Sequence, residues 1–266
     1  MLSVNPFATL AETLSPIYMQ SFVILMLALI VVGTLLDIIH KKNVKYFFEN
    51  AKKAKLSATK TLSAGEKISV ISKTIVSDIA TTSELGAGKR RVAHLLGMYG
   101  TILFWTGSVI MIFCYSSPSS DTPSYWPIIW HVGAIMTVVG GSWFWFFLRV
   151  DVYSEAHPWY RIIKADLFVL ALIASSLFGL IWSCLQSLNL NDRWDDKAFL
   201  VLYIISNLAL FGGVYWSKFA HMFYKPGASI QKNLAEADGS RDNLPPPADA
   251  PEQYGLGIDR EKAKHY

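Results

Sequence analysis

The chain has 266 residues, of which 52% are hydrophobic, and its mean hydropathy is +0.33. These values exclude an ordinary soluble domain and indicate an integral membrane protein. With only two cysteines, Cys114 and Cys184, the chain has neither a disulfide scaffold nor a four-cysteine zinc or iron–sulfur site. The formal charge of +4 is informative only once it is mapped along the chain. We expect no nucleic-acid partner.

The sequence predicts an all-α bundle of five membrane-spanning helices. The first twenty residues contain no basic n-region and no A-x-A cleavage site, so we expect the first apolar run to be kept as a helix. Each apolar run has the length that a bilayer requires, and backbone groups in lipid must be satisfied within the segment. We expect Pro226 and Gly227 to end the last helix. The predicted spans are residues 17–39, 95–115, 125–148, 165–186 and 198–221.

The distribution of basic residues predicts the orientation. Residues 41–93 contain twelve Lys and Arg against four acids, and seven more basic residues lie between Lys218 and Lys264. The opposite side carries only Arg193 and Lys197. Because basic loops stay in the cytoplasm, the N-terminus is predicted to lie outside and the C-terminus in the cytoplasm. The predicted location is the inner (cytoplasmic) membrane of the cell.

The sequence divides into four segments, two of which are polar. In the first polar segment the stretch KKNVKYFFENAKKAK has helical apolar spacing that suits a helix at the membrane surface, and Ser63 and Glu66 form a capping-box pattern that starts a second helix. This segment is either a lipid-associated hairpin or a platform for a soluble partner. The proline-rich tail is expected to be disordered alone or to fold against a partner. The segments are 1–40 with the first span, 41–93, 94–222 with the other spans, and 223–266.

Three histidines lie at the predicted cytoplasmic level of three helices: His40, His94 and His221. A b-type haem between membrane helices needs two neutral imidazoles at matched depth, with cations near its propionates. His94 and His221 are the candidate axial ligands, and the candidate propionate contacts are Arg90, Arg91 and Lys218. The alternative is that these histidines cap helix ends or extend to the headgroups. We interpret His40 as an interfacial residue.

Two stretches, RRVAHLLGMYG at 90–100 and WSKFAHMFYKP at 216–226, resemble signatures of the nitrate-reductase gamma family. This family of five-helix subunits includes the cytochrome b subunits of heterodisulfide reductase. The chain as a whole is similar to AprM-type membrane anchors of adenylylsulfate (APS) reductase, through HKKNVKYFFENAKKAK, WFWFFLRVDV, KADLF and EADGSRDNLP. The resemblance implies a non-catalytic subunit that holds soluble APS reductase at the cytoplasmic face and exchanges electrons with the quinone pool. The sulfur chemistry would belong to the partner.

The family pattern that this resemblance implies has two haems, with ligands ten residues apart on the second helix and eighteen apart on the fifth. His94 and His221 match the inner pair, whereas the outer positions are Phe104 and Tyr203. These two side chains do not replace a pair of imidazoles. We therefore expect no outer haem, and either one haem on the cytoplasmic side or none.

Other candidates have plainer interpretations. His131 is expected to pack against Trp130 or to bond a backbone carbonyl, and the run WFWFFLR at 143–149 is interpreted as an interfacial aromatic belt rather than a quinone box. Cys114 and Cys184 are interpreted as separate thiols, with a disulfide as the minor alternative. Four charged residues near the cytoplasmic ends of the third and fourth predicted spans are expected to lie at solvated helix ends with ordinary ion pairs rather than to form a proton relay: Asp151, Glu155, Lys164 and Asp166.

Two functions remain open at this point. The first is an electron-transfer subunit with one haem b, and the second is a haem-free docking anchor. An ion transporter is disfavoured because no predicted span has a charge near its middle and five spans do not form two matched halves.

Overall fold

The computed structural model describes residues 2–85, 88–150, 158–188, 190, 193–217, 219, 221–240, 253–254 and 258–259. Within these residues the chain is helical apart from two short antiparallel strands, β1 (Gln253–Tyr254) and β2 (Ile258–Asp259). The helices are α1 (Pro6–Leu10), α2 (Pro16–Lys41), α3 (Asn43–Leu56), α4 (Ala64–Thr74), α5 (Lys89–Cys114), α6 (Tyr125–Trp143), α7 (Leu167–Ser187), α8 (Trp194–Gly212) and α9 (His221–Ala237). Wider π-helical turns extend α4 (Ile75–Ala80) and α6 (Phe144–Leu148), and 3₁₀ turns occupy Ser83–Leu85 and Lys164–Asp166.

Among the described residues, four helical stretches are long and apolar enough to cross a membrane. They coincide with the first four predicted spans, so the helical fold and four helices of membrane-spanning length and hydropathy are confirmed. The four stretches are Pro16–Lys41, Lys89–Cys114, Tyr125–Leu148 and Lys164–Ser187.

The last predicted span, 198–221, is wrong at its cytoplasmic end. Helix α8 ends at Gly212, and a new helix begins at His221 and continues through Pro226 to Ala237. The adjacent Gly212 and Gly213 explain the break, because glycine is a poor helix former. Pro226 does not end the helix, since only one backbone hydrogen bond is lost there and the helix is held further along by side-chain contacts.

The chain folds into two compact units. The first contains Met1–Ile39 and Arg90–Ala220, and the second contains His40–Lys89 and His221–Tyr266. The two polar segments of the sequence therefore belong mainly to one unit, and the apolar helices to the other.

In the first unit, α5 and α6 pack with their backbones in contact. A Cβ atom added at Gly133 would lie 2.5 Å from the backbone nitrogen of Phe104, and one at Gly140 would lie 2.6 Å from that of Gly97. Small residues allow this approach, which is the usual way for helices to associate in lipid, where no hydrophobic force drives them together.

Helix α1, which the sequence did not predict, closes one end of this bundle. The Asn5 side chain accepts hydrogen bonds from the backbone nitrogens of Phe7 and Ala8 at 3.0 and 3.3 Å, and so caps the helix. Its amide donates to the carbonyl of Tyr115 at 2.9 Å and to the hydroxyl of Thr122 at 3.1 Å. Asn5 thus holds the N-terminal segment against the connection between α5 and α6.

In the second unit, α4 begins as predicted. The Ser63 hydroxyl accepts from the backbone nitrogen of Glu66, and the Glu66 carboxylate accepts from the backbone nitrogen of Ser63. The latter bond stabilises the ionised carboxylate and lowers the pKa of Glu66. The predicted capping box and the predicted helix over KKNVKYFFENAKKAK are both confirmed.

Helix α9 packs against α4 through polar groups. The Asn233 amide donates to the hydroxyl of Thr74 at 2.8 Å and to the carboxylate of Asp78 at 2.7 Å. The backbone nitrogens of Thr59 and Lys60 donate to the carbonyl of Asp238. The expectation that the tail is disordered alone is therefore wrong for residues 227–237, which are helical; the tail residues 241–252, 255–257 and 260–266 lie outside the described residues.

Candidate functional site

Helix α5 presents the first part of the candidate haem site. His94 is exposed in the second turn of α5, and Arg90 is exposed four residues before it, on the same face of the helix. Arg91 is half-buried. An accessible imidazole can serve as an axial ligand of haem iron, and a guanidinium on the same face of the helix can contact a haem propionate.

The other part of the candidate site lies at the start of α9. His221 is the first residue of this helix and belongs to the second compact unit, whereas His94 belongs to the first. The side chain of His221 and all of Lys218 lie outside the described residues. The pairing of His94 with His221 stays a prediction.

The positions of the family's outer ligands face each other in the first unit. The rings of Phe104 and Tyr203 lie 6.4 Å apart, edge to face. Trp130 packs on Phe104 at 5.1 Å, and Trp182 stacks on Tyr203 at 5.9 Å. Phe7 of α1 contacts both tryptophans at 5.9 and 5.7 Å. Close-packed aromatic side chains fill the region between these two helix positions.

His131 is fully buried and has the partner types that the sequence predicted. Its Nδ1 lies 2.7 Å from the carbonyl of Pro127, and its ring packs edge-on against Trp130 at 4.8 Å. Its Nε2 lies 2.9 Å from the hydroxyl of Ser183 on α7, a partner that the sequence did not indicate. With both nitrogens bonded, His131 connects α6 to α7 and acts as a packing residue.

Asp166, at the start of α7, forms an ion pair as expected, but the pair is buried rather than solvated, which corrects that part of the expectation. Asp166 is 3% exposed and Arg149 is fully buried. The Arg149 guanidinium donates from both Nε and Nη2 to the two carboxylate oxygens of Asp166. Lys164 is exposed, as expected, and Asp151 and Glu155 lie outside the described residues.

Arg149 also organises the chain that leads into α7. Its Nη1 donates to the carbonyl of Pro158 at 2.9 Å, and its Nη2 donates to the carbonyl of Arg161. The guanidinium lies 4.2 Å above the ring of Trp145. Because every side of this buried charge is satisfied, the pair fixes the end of α6 against the start of α7. These contacts among the described residues assign the pair a structural role.

The aromatic run at 143–149 has two different faces. Phe146 and Phe147 are 51% and 68% exposed, which agrees with an interfacial belt. Trp145 is 4% exposed and supports Arg149. Sequence position alone did not separate the inward tryptophan from its outward neighbours.

A second aromatic cluster in the first unit was not predicted. Trp105 stacks on Phe219 with centroids 6.0 Å apart and packs on Phe211 at 5.1 Å. Phe168 of α7 contacts Phe219 at 5.4 Å. The indole nitrogen of Trp105 is buried and has no hydrogen-bond partner among the described residues. The cluster attaches the chain that follows α8 to α5 and α7.

Both cysteines are free thiols, as interpreted from the sequence. Cys114 is exposed at the end of α5, and Cys184 is half-buried in α7.

In the second unit, Asp78 is the centre of a polar network. The Ser83 hydroxyl donates to it at 2.7 Å, Ser77 donates at 2.8 Å, and Asn233 donates from α9. The bond from Ser83 contributes most to lowering the pKa of Asp78, with Asn233, Ser77 and the charge of Lys232 adding to it, while partial burial acts in the opposite direction. Helices α4 and α9 are thus connected by a carboxylate that is ionised at neutral pH.

Glu84 makes a second connection between the two polar segments. It accepts a hydrogen bond from Ser229 at 3.0 Å and pairs with Lys225 at 3.2 Å and with Lys232 at 3.8 Å. Ser229 and Lys232 belong to the tail that was expected to be disordered alone, and the structure makes them part of one folded surface with Glu84.

No family model, curated protein or solved structure matches this chain.

Proposed function

We propose that the protein is a membrane anchor and electron-transfer subunit that links cytoplasmic APS reductase to the quinone pool in dissimilatory sulfur metabolism. The proposal is supported by the resemblance of RRVAHLLGMYG and WSKFAHMFYKP to the nitrate-reductase gamma signatures. The observation that supports an anchoring function is the second compact unit. Its two polar segments, which precede and follow the later predicted spans in the sequence, fold together instead of forming short connections. Such a unit suits the display of a surface to a soluble partner.

The proposal includes five spans with the N-terminus outside and the C-terminus in the cytoplasm of the inner membrane. Helix α8 serves as the fifth span. Its first turn carries Asp195 and Asp196, which suit the outer headgroup level. The apolar part that follows, from Ala198 to Gly212, spans about 22 Å at 1.5 Å per residue, so the apolar residues after Gly212 would complete the crossing of a core of about 30 Å.

In the redox form of the proposal, His94 and His221 would hold one haem b, and Arg90, Arg91 and Lys218 would contact its propionates. The haem supplies one-electron transfer between quinol and the soluble enzyme. The protein residues would set the position and the electrostatic environment of the haem. The exposed pair of His94 and Arg90 on one face of α5 supports this assignment.

The second candidate is a haem-free docking anchor. It is favoured by the aromatic packing at Phe104 and Tyr203, since the outer half of an electron path across the membrane would have to pass through a region filled by side chains. In this form His94 and His221 bond to structure or to the partner.

A reduced-minus-oxidised visible spectrum of the purified protein, with a haem stain, separates the two forms. The redox form predicts a b-type band that is lost in His94→Ala and in His221→Ala. His40→Ala is the matched control, because His40 is an exposed histidine at the end of α2 and should leave the band unchanged. A colourless protein that still binds APS reductase would support the docking anchor and end the redox form.

A further inference from the structure

Helix α4 and its extension present an apolar face outward. Ile68, Ile75 and Val76 are 65%, 46% and 63% exposed. They lie at positions i, i+7 and i+8, which share one side of a helix. The side that packs against α9 is the polar one, because it carries Thr74 and Asp78. The usual arrangement of a helix in a soluble protein is therefore reversed.

A lysine borders this exposed face. Lys73 is exposed and lies three residues before Val76, at the edge of the stripe formed by Ile68, Ile75 and Val76. Lys67 is exposed on another side of the helix, seven residues before Thr74. The wider segment 41–85 carries nine lysines against four acidic residues. An apolar stripe within such a basic segment is the pattern of a helix that lies in the headgroup region of an anionic bilayer.

The covalent connections favour a bilayer over a soluble protein as the occupant of this face. The second unit is entered from α2 and left into α5, and both helices are long and apolar enough to cross a membrane. Leu85 is four residues before Lys89, the first residue of α5, and four residues extend over at most about 14 Å. The chain therefore holds the end of this segment within reach of lipid headgroups.

We propose that α4 docks on the membrane surface, with Ile68, Ile75 and Val76 inserted among the acyl chains and headgroups of an anionic bilayer and with Lys73 on the lipid phosphates. This docking is independent of haem and of any soluble partner. It leaves α9 as the more accessible side of the second unit.

Spin labels on the full-length chain in nanodiscs test this proposal. Single cysteines are introduced by Ile68→Cys, Ile75→Cys and, as control, Lys67→Cys, in a background of Cys114→Ser and Cys184→Ser. All three labelled positions are exposed, so the fold should be kept, and an unchanged far-UV circular dichroism spectrum checks this. In nanodiscs with phosphatidylglycerol, labels at Ile68 and Ile75 should be more accessible to oxygen than to a water-soluble nickel complex, and the label at Lys67 should show the opposite preference.

Nanodiscs of neutral phosphatidylcholine test the role of the lysines, because the oxygen preference at Ile68 and Ile75 should decrease there. An equal preference in neutral and anionic nanodiscs would overturn the role given to Lys73. Nickel accessibility at Ile68 and Ile75 equal to that at Lys67 in both lipids would overturn the proposal as a whole and leave the face to a protein partner.

Discussion

The two compact units are held together by different forces. In the first, glycines bring α5 and α6 into backbone contact and aromatic rings fill the space between helices. In the second, the contacts between α4 and α9 are hydrogen bonds and ion pairs around Asp78 and Glu84. The first unit has the close packing that is typical of helices in lipid. The second unit is held by polar contacts and has apolar residues on its exposed side.

This difference means that the same kind of substitution should have unequal effects in the two units. A buried charge in the first unit has no water to replace a lost partner, so its loss should be costly. A hydrogen bond in the second unit is replaced in part by water, so its loss should be modest.

The largest effect is expected from Arg149→Ala, which leaves the buried carboxylate of Asp166 without its partner and releases two backbone carbonyls. We expect a loss of about 3–5 kcal/mol in the free energy of unfolding, measured by denaturation in detergent micelles. Arg161→Ala is the control, because its side chain is exposed and only its backbone carbonyl is used. Equal losses for both variants would contradict the role of the pair.

A smaller effect is expected from Gly133→Ala, since the new methyl group would lie 2.5 Å from a backbone nitrogen of α5. The resulting overpacking should cost about 1–3 kcal/mol in the same measurement. Gly97→Ala is the matched control on α5, because a Cβ there has no neighbour within 4 Å. A stable Gly133→Ala variant would show that the two helices are further apart than described.

In the second unit, Asn233→Ala removes both hydrogen bonds from α9 to Thr74 and Asp78. We expect a loss of about 1–2 kcal/mol that is confined to this unit. Hydrogen exchange should show faster exchange in α4 and α9 and unchanged exchange in α6 and α7. Faster exchange across α6 and α7 as well would contradict the independence of the two units.

Protonation of Asp78 should weaken the same contacts. Its pKa in the folded chain lies below the ordinary value of 3.8, so the stabilisation is present above about pH 4 and is lost as the pH falls through the folded pKa. The protection factors of the α9 amides, which correct for the intrinsic pH dependence of exchange, should therefore fall at acidic pH in the natural chain and depend less on pH in Asp78→Asn. The same pH dependence in both chains would assign the effect to another group.

The smallest effect is expected from Glu84→Gln, because its partners Lys225 and Lys232 are 53% and 43% exposed. The loss should stay within about 1 kcal/mol and disappear in 1 M salt. A larger loss that persists in salt would mean that the hydrogen bond from Ser229 is the main contribution of Glu84.

The sequence predicted the parts of the fold that depend on local signals. Bilayer-length apolar runs located the first four spans, and the Ser63–Glu66 pattern located the start of α4. The end of α8 was misplaced because the hydropathy of the chain continues past Gly212, while the backbone preference of two glycines does not. Helix α9 was missed because Pro226 and Gly227 predicted the end of a helix and the proline-rich tail predicted disorder.

The candidate sites were less predictable, since their partners are distant in sequence. The packing of His131 against Trp130 was predicted, but Ser183 is 52 residues away and has no sequence signal. Asp166 was read as a solvated helix end because nothing local indicates that Arg149 is buried beside it. The family spacing that led to Phe104 and Tyr203 did identify two positions that face each other.

The central claim is that this chain holds APS reductase at the membrane, whether or not it carries haem. The most direct measurement is the binding of purified APS reductase to nanodiscs that contain the full chain, with empty nanodiscs of the same lipid as reference. The account predicts saturable binding to the loaded nanodiscs alone. Binding that is equal for loaded and empty nanodiscs would contradict it.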